Sequence, residues 1–454
     1  MMRSRAAVVA GKTVGALSRL TRRGGGTTFP GDVARAIDPG VLTRLAAELG
    51  SGSVVVTGTN GKTTTARLIA EALAALPARV VANRAGANMI YGATAAALGA
   101  AGWGGGLKAD FGVFEVDEAV LPQAVDEIRP RVVVVGNLFR DQLDRYGELE
   151  QLALTIQRAL GRLPLSAQAV LNADDPRVAQ IGLGLDRPPL WYGLDDASVS
   201  APELPHAADA RTCPRCGRGL AFSAVYVGHN GHWRCPGGDF ERPTPQITAT
   251  SIVRHGLESL ELQIGGQSFA LPLGGLYNAY NLTAAVAALS QLGIDPARAR
   301  ASLARAQPAF GRQERFSQGG RSFTLLLAKN PTGFNEILRE AAGAQEGRFL
   351  IALNDRVADG TDVSWIWDVD FEILASRPEP VIPAGRRGRD LALRMKYAGV
   401  ACEPAQDSLE RALDRLLEVT PPGSQGYILL TYTALLEMHR VLVKRGWLRP
   451  FWAS

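Results

Sequence analysis

Gly58-Thr59-Asn60-Gly61-Lys62-Thr63-Thr64 places two glycines, an ammonium group and several hydroxyls in one short stretch. A β-branched run, Ser53-Val54-Val55-Val56, leads into it, and an alanine-rich helical pattern follows from Ala66 to Leu76. Glycines let a loop curl its N–H groups inward, and the next helix adds the positive end of its dipole, which together make an anion cradle. Lys62 is then placed to reach terminal phosphates, with the Thr63 hydroxyl on a magnesium ion. The stretch therefore reads as a nucleotide-binding phosphate loop.

Such a loop works only at the carboxyl end of a strand, so the surrounding elements matter. Strand-like runs occur at Arg79–Ala82, Phe111–Val116, Val132–Val135 and Ala169–Asn172, separated by helical patterns. Strands alternating with helices give an α/β fold with a parallel sheet covered on both faces, and ligands bind at its strand ends. Phe114-Glu115-Val116-Asp117-Glu118 puts three carboxylates at one such end. Asp117 and Glu118 read as solvated acids. Asn137 to Glu148 and Asn172-Ala173-Asp174-Asp175-Pro176 form two more polar strand ends. Alternation resumes at Leu260–Ile264, and Asn278 and Asn281 stand three apart, on one side of a helix that starts near Leu276.

Composition divides the chain further. Residues 1–40 read as an N-terminal amphipathic helix, packed on the body, and a glycine-rich loop; 41–307 as the central domain; and 308–454 as a second α/β domain with strands near Arg348–Leu353 and Tyr427–Leu430. Between about 205 and 245 lie Cys213, Cys216 and Cys235, which read as a small inserted ribbon. Two thiolate pairs close a structural zinc site, but Gly238 stands where the fourth cysteine is expected, leaving His229, His232 or Asp239 to complete it. Four cysteines in 454 residues make no disulfide framework, which suits a reducing cytoplasm, and Cys402 reads as a plain thiol. A formal charge of +5, spread along the chain, gives no reason to expect a nucleic-acid partner. The basic stretch Arg386, Arg387, Arg389, Arg394 and Lys396 reads as a solvated face.

The loop from Thr57 to Thr64, Glu115, residues 172–176, the Asn278/Asn281 pair and Phe310-Gly311-Arg312 resemble the ATP-binding core of the Mur ligases. Arg23 to Thr27, Asn83 to Met89, Asn137 to Glu148 and Asp359 to Asp368 narrow the resemblance to the MurT family, ligase subunits of lipid II isoglutaminyl synthases that work with a GatD glutaminase. The resemblance implies a Mur ligase-like fold, with a central phosphate-loop ATPase domain, a cysteine-rich insertion and a C-terminal α/β domain. It selects Glu115 as the acidic magnesium ligand beside Thr63. It assigns Asn278 and Asn281 to the nucleotide and Arg312 to its phosphates.

The implied reaction is ATP-dependent amidation of the D-glutamate α-carboxyl of lipid II through an acyl phosphate, with ammonia from the GatD-like partner. It runs in the cytoplasm at the inner face of the membrane, which is reached only through the lipid substrate. Catalytic weight falls on Lys62 and Glu115 and on the acidic run of the second domain, Asp355 first, then Asp359 and Asp362. The chain departs from the wider family at Gln142, where a histidine is usual, and has no lysine between Lys108 and Lys329 for carbamylation. Both changes count against the first alternative, an amino-acid-adding ligase. The intact Lys62, Thr63 and Glu115 count against the second, a non-catalytic ATP-binding scaffold.

Overall fold

The computed structural model describes residues 2–20, 28–83, 86–140, 148–206, 208–343 and 347–449. Its larger sheet holds β1 (Ser53–Thr57), β2 (Val80–Ala82), β3 (Phe111–Glu115), β4 (Val132–Val135), β5 (Gln168–Asn172) and β6 (Leu190–Leu194). A separate hairpin of β7 (Ala221–Val227) and β8 (Asn230–Arg234) intervenes, and β9 (Ile247–His255), β10 (Ser259–Ile264) and β11 (Gln267–Leu271) complete the sheet. The order is β11-β10-β9-β6-β5-β4-β1-β3-β2, parallel from β2 through β9, with β10 and β11 antiparallel at one edge. Central strands such as Val132–Val135 are buried along their whole length, as a sheet covered on both faces requires.

A second sheet, β12 (Arg312–Gln318), β13 (Arg321–Leu327), β14 (Arg348–Ala352), β15 (Ile382–Ala384) and β16 (Gln425–Leu430), runs in the order β12-β13-β16-β14-β15. Only β12 is antiparallel to its neighbour. The helices Pro331–Ala342 and Tyr432–Lys444 start directly beyond the carboxyl ends of β13 and β16, so their N-termini sit at the same end of the sheet.

The N-terminal helix, Met2–Leu20, packs Ala7, Val8, Gly11 and Gly15 inward, against the helices Phe29–Ile37 and Ile90–Ala100. Lys12 Nζ donates to the carbonyl oxygens of Leu98 and Ala101, at the C-terminal end of the latter helix, where a cation is favoured. Among the described residues no helix is long and apolar enough to cross a membrane.

Candidate functional site

The phosphate loop leaves β1 and feeds the helix Lys62–Ala74. Gly61 holds φ at +85°, and a Cβ there would stand 2.1 Å from Asn281 Oδ1, so no other residue fits. The loop's shape is fixed by the strand end beside it. Asn60 N donates to Asn137 Oδ1 at 2.8 Å while Asn137 Nδ2 donates to Asn60 O at 3.0 Å, and Thr59 N donates to Asn137 O at 2.9 Å. Thr64 and Thr65 are buried in the first turn of the helix, Thr65 Oγ1 lying 3.3 Å from Asn281 Oδ1.

Thr63 Oγ1 donates to Glu115 Oε1 at 2.9 Å, which joins the helix start to the end of β3. Asn83 clamps the backbone behind that acid, accepting from Glu115 N and donating to Glu115 O, both at 2.8 Å. Burial pushes the Glu115 carboxyl above its ordinary value, while Lys62, the Thr63 hydroxyl, Arg312 and Lys329 pull it back down. A hydroxyl and a carboxylate side by side are the hard oxygen donors magnesium takes, so the residues present fit that ion.

Glu118 corrects the reading from sequence. It is buried, not solvated: the short 3-10 turn Glu118–Val120 folds it back, and its Oε2 lies 3.0 Å from Lys62 Nζ. Lys62 Nζ also donates to Gly58 O, so the buried ammonium is paired and hydrogen-bonded as burial demands. Asp117, half-buried, accepts from Ala119 N and caps that turn.

Asn278 and Asn281 lie together near the loop. Asn281 Nδ2 donates to Asn278 Oδ1 at 2.8 Å, and Asn278 Nδ2 donates to Gly274 O at 2.7 Å. The cleft they help to line is closed from the other side by Arg312, Lys329 and Asn330 of the second sheet's domain. Lys329 and Asn330 were not singled out from sequence; the one available signal was that Lys329 ends a strand-like run.

The acidic run after β14 does not act as one cluster. Asp355 pairs with Arg386 Nε at 2.8 Å and Arg387 Nε at 3.1 Å, and the Arg386 bond holds its carboxyl below the usual range. Asp359 is buried and accepts from Thr433 N at 2.7 Å and from the Thr433 hydroxyl, in the first turn of Tyr432–Lys444. Asp362 is exposed and accepts from Ser364 N and Oγ at 2.8 and 2.6 Å, just ahead of the turn Ser364–Asp368. The basic stretch is likewise no simple solvated face. Arg386 and Arg387 hold Asp355, while Arg394 is buried, donates to Val369 O at 2.7 Å and lies over the rings of Trp367 and Phe371.

In the insertion, ligand atoms of Cys213, Cys216, Cys235 and Asp239 all lie within 4.8 Å of one another. Zinc bonds of about 2.3 Å to sulfur and 2.0–2.2 Å to oxygen in a tetrahedron place donor atoms at such separations, so the set fits a zinc ion. Asp239 thus stands where a fourth thiol is missing, and Gly238 occupies a position whose φ of +84° suits glycine. His229 and His232 are elsewhere. His229 Nε2 lies 3.3 Å from Asp175 Oδ2, and His232 Nε2 lies 2.9 Å from Leu194 O.

Asp174 and Asp175 are fully buried and structural. Asp174 takes Arg242 Nε at 2.7 Å and the Tyr280 hydroxyl at 2.7 Å; Asp175 caps the helix Pro176–Leu183 and accepts from Leu138 N at 2.8 Å. Cys402 is half-buried, and burial pushes its thiol up to about 11, as suits an inert thiol.

Comparison with known proteins gives this geometry its family. The Mur ligase middle domain matches residues 56–199, and the MurT ligase C-terminal domain matches residues 327–435. The chain is 35% identical over 430 residues, 94% of each chain, to subunit MurT of the glutamine-hydrolyzing lipid II isoglutaminyl synthase of Streptococcus pneumoniae. This chain belongs to the MurT family of Mur ligases.

A Staphylococcus aureus MurT subunit is also 35% identical, over 83% of this chain and 84% of that one. Among solved structures, a pseudomurein peptide ligase type C from Methanothermus fervidus superposes with a TM-score of 0.66 at 21% identity, covering 88% of this chain and 80% of its own. The ADP complex of MurF from Thermotoga maritima gives 0.61 at 14%, covering 89% and 83%. The fold is thus that of the Mur ligases, which are ATP-dependent, use magnesium and form C–N bonds. Of the MurT motifs read from sequence, Arg23 to Thr27, Arg84-Ala85 and 141–147, including Gln142, lie outside the described residues.

Proposed function

We propose that this chain is the ligase subunit of a lipid II isoglutaminyl synthase, amidating the α-carboxyl of D-glutamate in the lipid II stem peptide. The observation that carries this reading is the 35% identity to a MurT subunit along 94% of the chain, joined to the Lys62, Thr63 and Glu115 arrangement in one cleft. A carboxylate is a poor electrophile. Its oxygen attacks the γ-phosphorus of ATP, giving an acyl phosphate and ADP, and ammonia then attacks the acyl carbon and expels phosphate. Lys62 and the loop N–H groups stabilise the charge on the transferring phosphoryl group, and Arg312 and Lys329 approach from the second domain. Magnesium, when bound, would be held by Thr63 and Glu115 and would supply charge neutralisation at the phosphates. Gly58, Thr59, Asn60, Gly61, Thr64, Asn278 and Asn281 shape the nucleotide's site.

Ammonia comes from a GatD-like glutaminase subunit, since Cys402 is no activated nucleophile. Asp355, Asp359 and Asp362 belong to the substrate or partner side of the reaction, Asp355 foremost. Zinc in the insertion is structural. The enzyme works at the cytoplasmic face of the membrane through its lipid substrate.

The test is amidation of lipid II by the purified chain with MgATP and ammonium, read by mass spectrometry of the stem peptide. Conversion of the D-glutamate acid to its amide supports the reading. Silence with ammonium and with glutamine plus a GatD-like partner would refute it and return an amino-acid-adding ligase to first place.

A further inference from the structure

The cleft between the two sheets is lined by Asn60, Gly61 and Thr64 of the loop and its helix, by Arg312 and Lys329, and by the apolar side chains of Phe139, Leu273, Tyr277 and Tyr280. The tip of the β7–β8 hairpin lines it too, through Val227 and Asn230. Gly228 N donates to Glu336 Oε1 at 3.3 Å, Gly231 N donates to Asp174 O at 2.9 Å, and the ring of His229 lies 4.6 Å from that of Phe139. The insertion that carries the thiols therefore reaches into the cleft.

Two carboxamides there carry oxygen atoms that accept no hydrogen bond from the described residues. Asn230, from the hairpin tip, is 1% exposed, and Gln313, from β12, is 3% exposed; both line the cleft, and among the described residues neither Asn230 Oδ1 nor Gln313 Oε1 has a hydrogen-bond partner. Gln313 is fixed in that orientation, because its Nε2 donates to Gly274 O at 2.8 Å and to the Tyr277 hydroxyl at 2.6 Å. Its backbone also holds φ at +62°, where the β12–β13 register shifts between Arg312 and Glu314. A buried acceptor without a donor and a non-glycine residue at positive φ are each costly, and such costs persist at sites that bind.

We propose that Asn230 and Gln313 read the base of the nucleotide, accepting hydrogen bonds from the 6-amino group of adenine. This rests on the nucleotide reading above. The phosphate loop fixes where a triphosphate lies, and the Tyr277 and Tyr280 rings of the same cleft offer apolar surface to cover its purine. Adenine's amino group brings N–H donors to these oxygens, whereas the 6-oxo group of hypoxanthine brings an acceptor and leaves them unpaired. Buried polar groups built for a donor reject the analogue lacking it far more strongly than an apolar pocket does.

The experiment is calorimetric titration of the full chain with ATP and with ITP, in magnesium. The wild-type chain binds ATP roughly a hundredfold tighter than ITP, a difference of two hydrogen bonds. Asn230→Leu and Gln313→Met remove the oxygen and keep the bulk, so each weakens ATP roughly tenfold and leaves ITP unchanged, which also reports an intact fold. Asn230→Asp keeps an acceptor and retains the preference. Variants that bind both nucleotides in the wild-type ratio overturn the inference and leave the nucleotide reading standing. A variant that loses both nucleotides overturns it too, because the side chain then holds the cleft together instead of reading the base. A wild-type chain that binds neither nucleotide overturns both readings.

Discussion

Asn330 Nδ2 donates to Asn60 Oδ1 at 3.0 Å, a side-chain bridge from the second domain to the phosphate loop. Asn330 Oδ1 also accepts from Gly333 N at 2.8 Å, so the same fully buried residue caps the helix Pro331–Ala342. The two roles separate by mutation. Asn330→Ser keeps a cap oxygen but is too short to reach Asn60, so the helix cap holds while KM for ATP rises roughly tenfold, the value of one hydrogen bond. Asn330→Ala loses both and costs about 1–2 kcal/mol of stability besides. An unchanged KM in Asn330→Ser would show that the bridge does not position the loop.

Glu336 gives the fold a pH dependence. It is buried beneath the hairpin tip, and burial pushes its carboxyl up to about 7, against the pull of Arg339. A raised carboxyl favours its protonated form in the fold. The stability this brings is fully present below the ordinary value of 4.5 and is lost as pH rises through about 7. Glu336→Gln removes the charge, so its melting temperature relative to wild type climbs between pH 5 and pH 8, by an equivalent of about 1–3 kcal/mol. A difference that stays flat across that range would contradict the assignment.

The three acids of the second domain differ in what they hold, and alanine at each separates them. Asp359→Ala leaves the Thr433 N–H and hydroxyl without their acceptor at the start of Tyr432–Lys444 and costs about 1–3 kcal/mol, seen as a lower melting temperature. Asp362→Ala keeps wild-type stability, because it loses only exposed hydrogen bonds to Ser364, and lowers glutamine-supported amidation less than Asp355→Ala does. Asp355→Ala keeps the fold but frees Arg386 and Arg387, and it loses glutamine-supported amidation. Full glutamine-supported activity in Asp355→Ala would remove that residue from the reaction.

A carboxylate in place of the fourth thiolate makes a zinc site that fits and that can be improved. Elemental analysis of the purified chain gives about one zinc per molecule, and chelation lowers the melting temperature, since metal bound only by the fold stabilises it. Asp239→Cys restores a four-thiolate set, so zinc survives dialysis against a weak chelator that strips the wild type. Asp239→Ala retaining zinc as firmly as wild type would exclude the carboxylate as a ligand.

The local part of the site was legible in the sequence and the long-range part was not. Gly58 to Thr64 sits between a strand and a helix that are its own neighbours, and Glu115 ends a strand with a plain apolar pattern, so both could be placed from periodicity and residue type. Glu118 misled because a three-residue turn reversed its direction, a reversal without a hydrophobic period. Asp174 and Asp175 read as a polar strand end, yet their partners are His229 and Arg242 of the insertion and Tyr280 beyond it, which the chain brings back only from far along the sequence. Asn330, Gln313 and Asn230 gave no signal because each meets the cleft from an element far from the loop in sequence.

Lys62 and Glu118 offer the sharpest test of the loop itself. Both side chains are buried, and their contact at 3.0 Å offsets the cost of removing two charges from water. Lys62→Met leaves the Glu118 carboxylate buried without that cation, which costs about 3–5 kcal/mol and abolishes ATP turnover. Adding Glu118→Gln removes the stranded charge, so the double variant regains most of the lost stability but none of the turnover. Glu118→Gln alone keeps Lys62 within reach of phosphate oxygens and retains nucleotide binding. Equal melting temperatures for Lys62→Met and the double variant would mean that the two charges are not coupled in the fold.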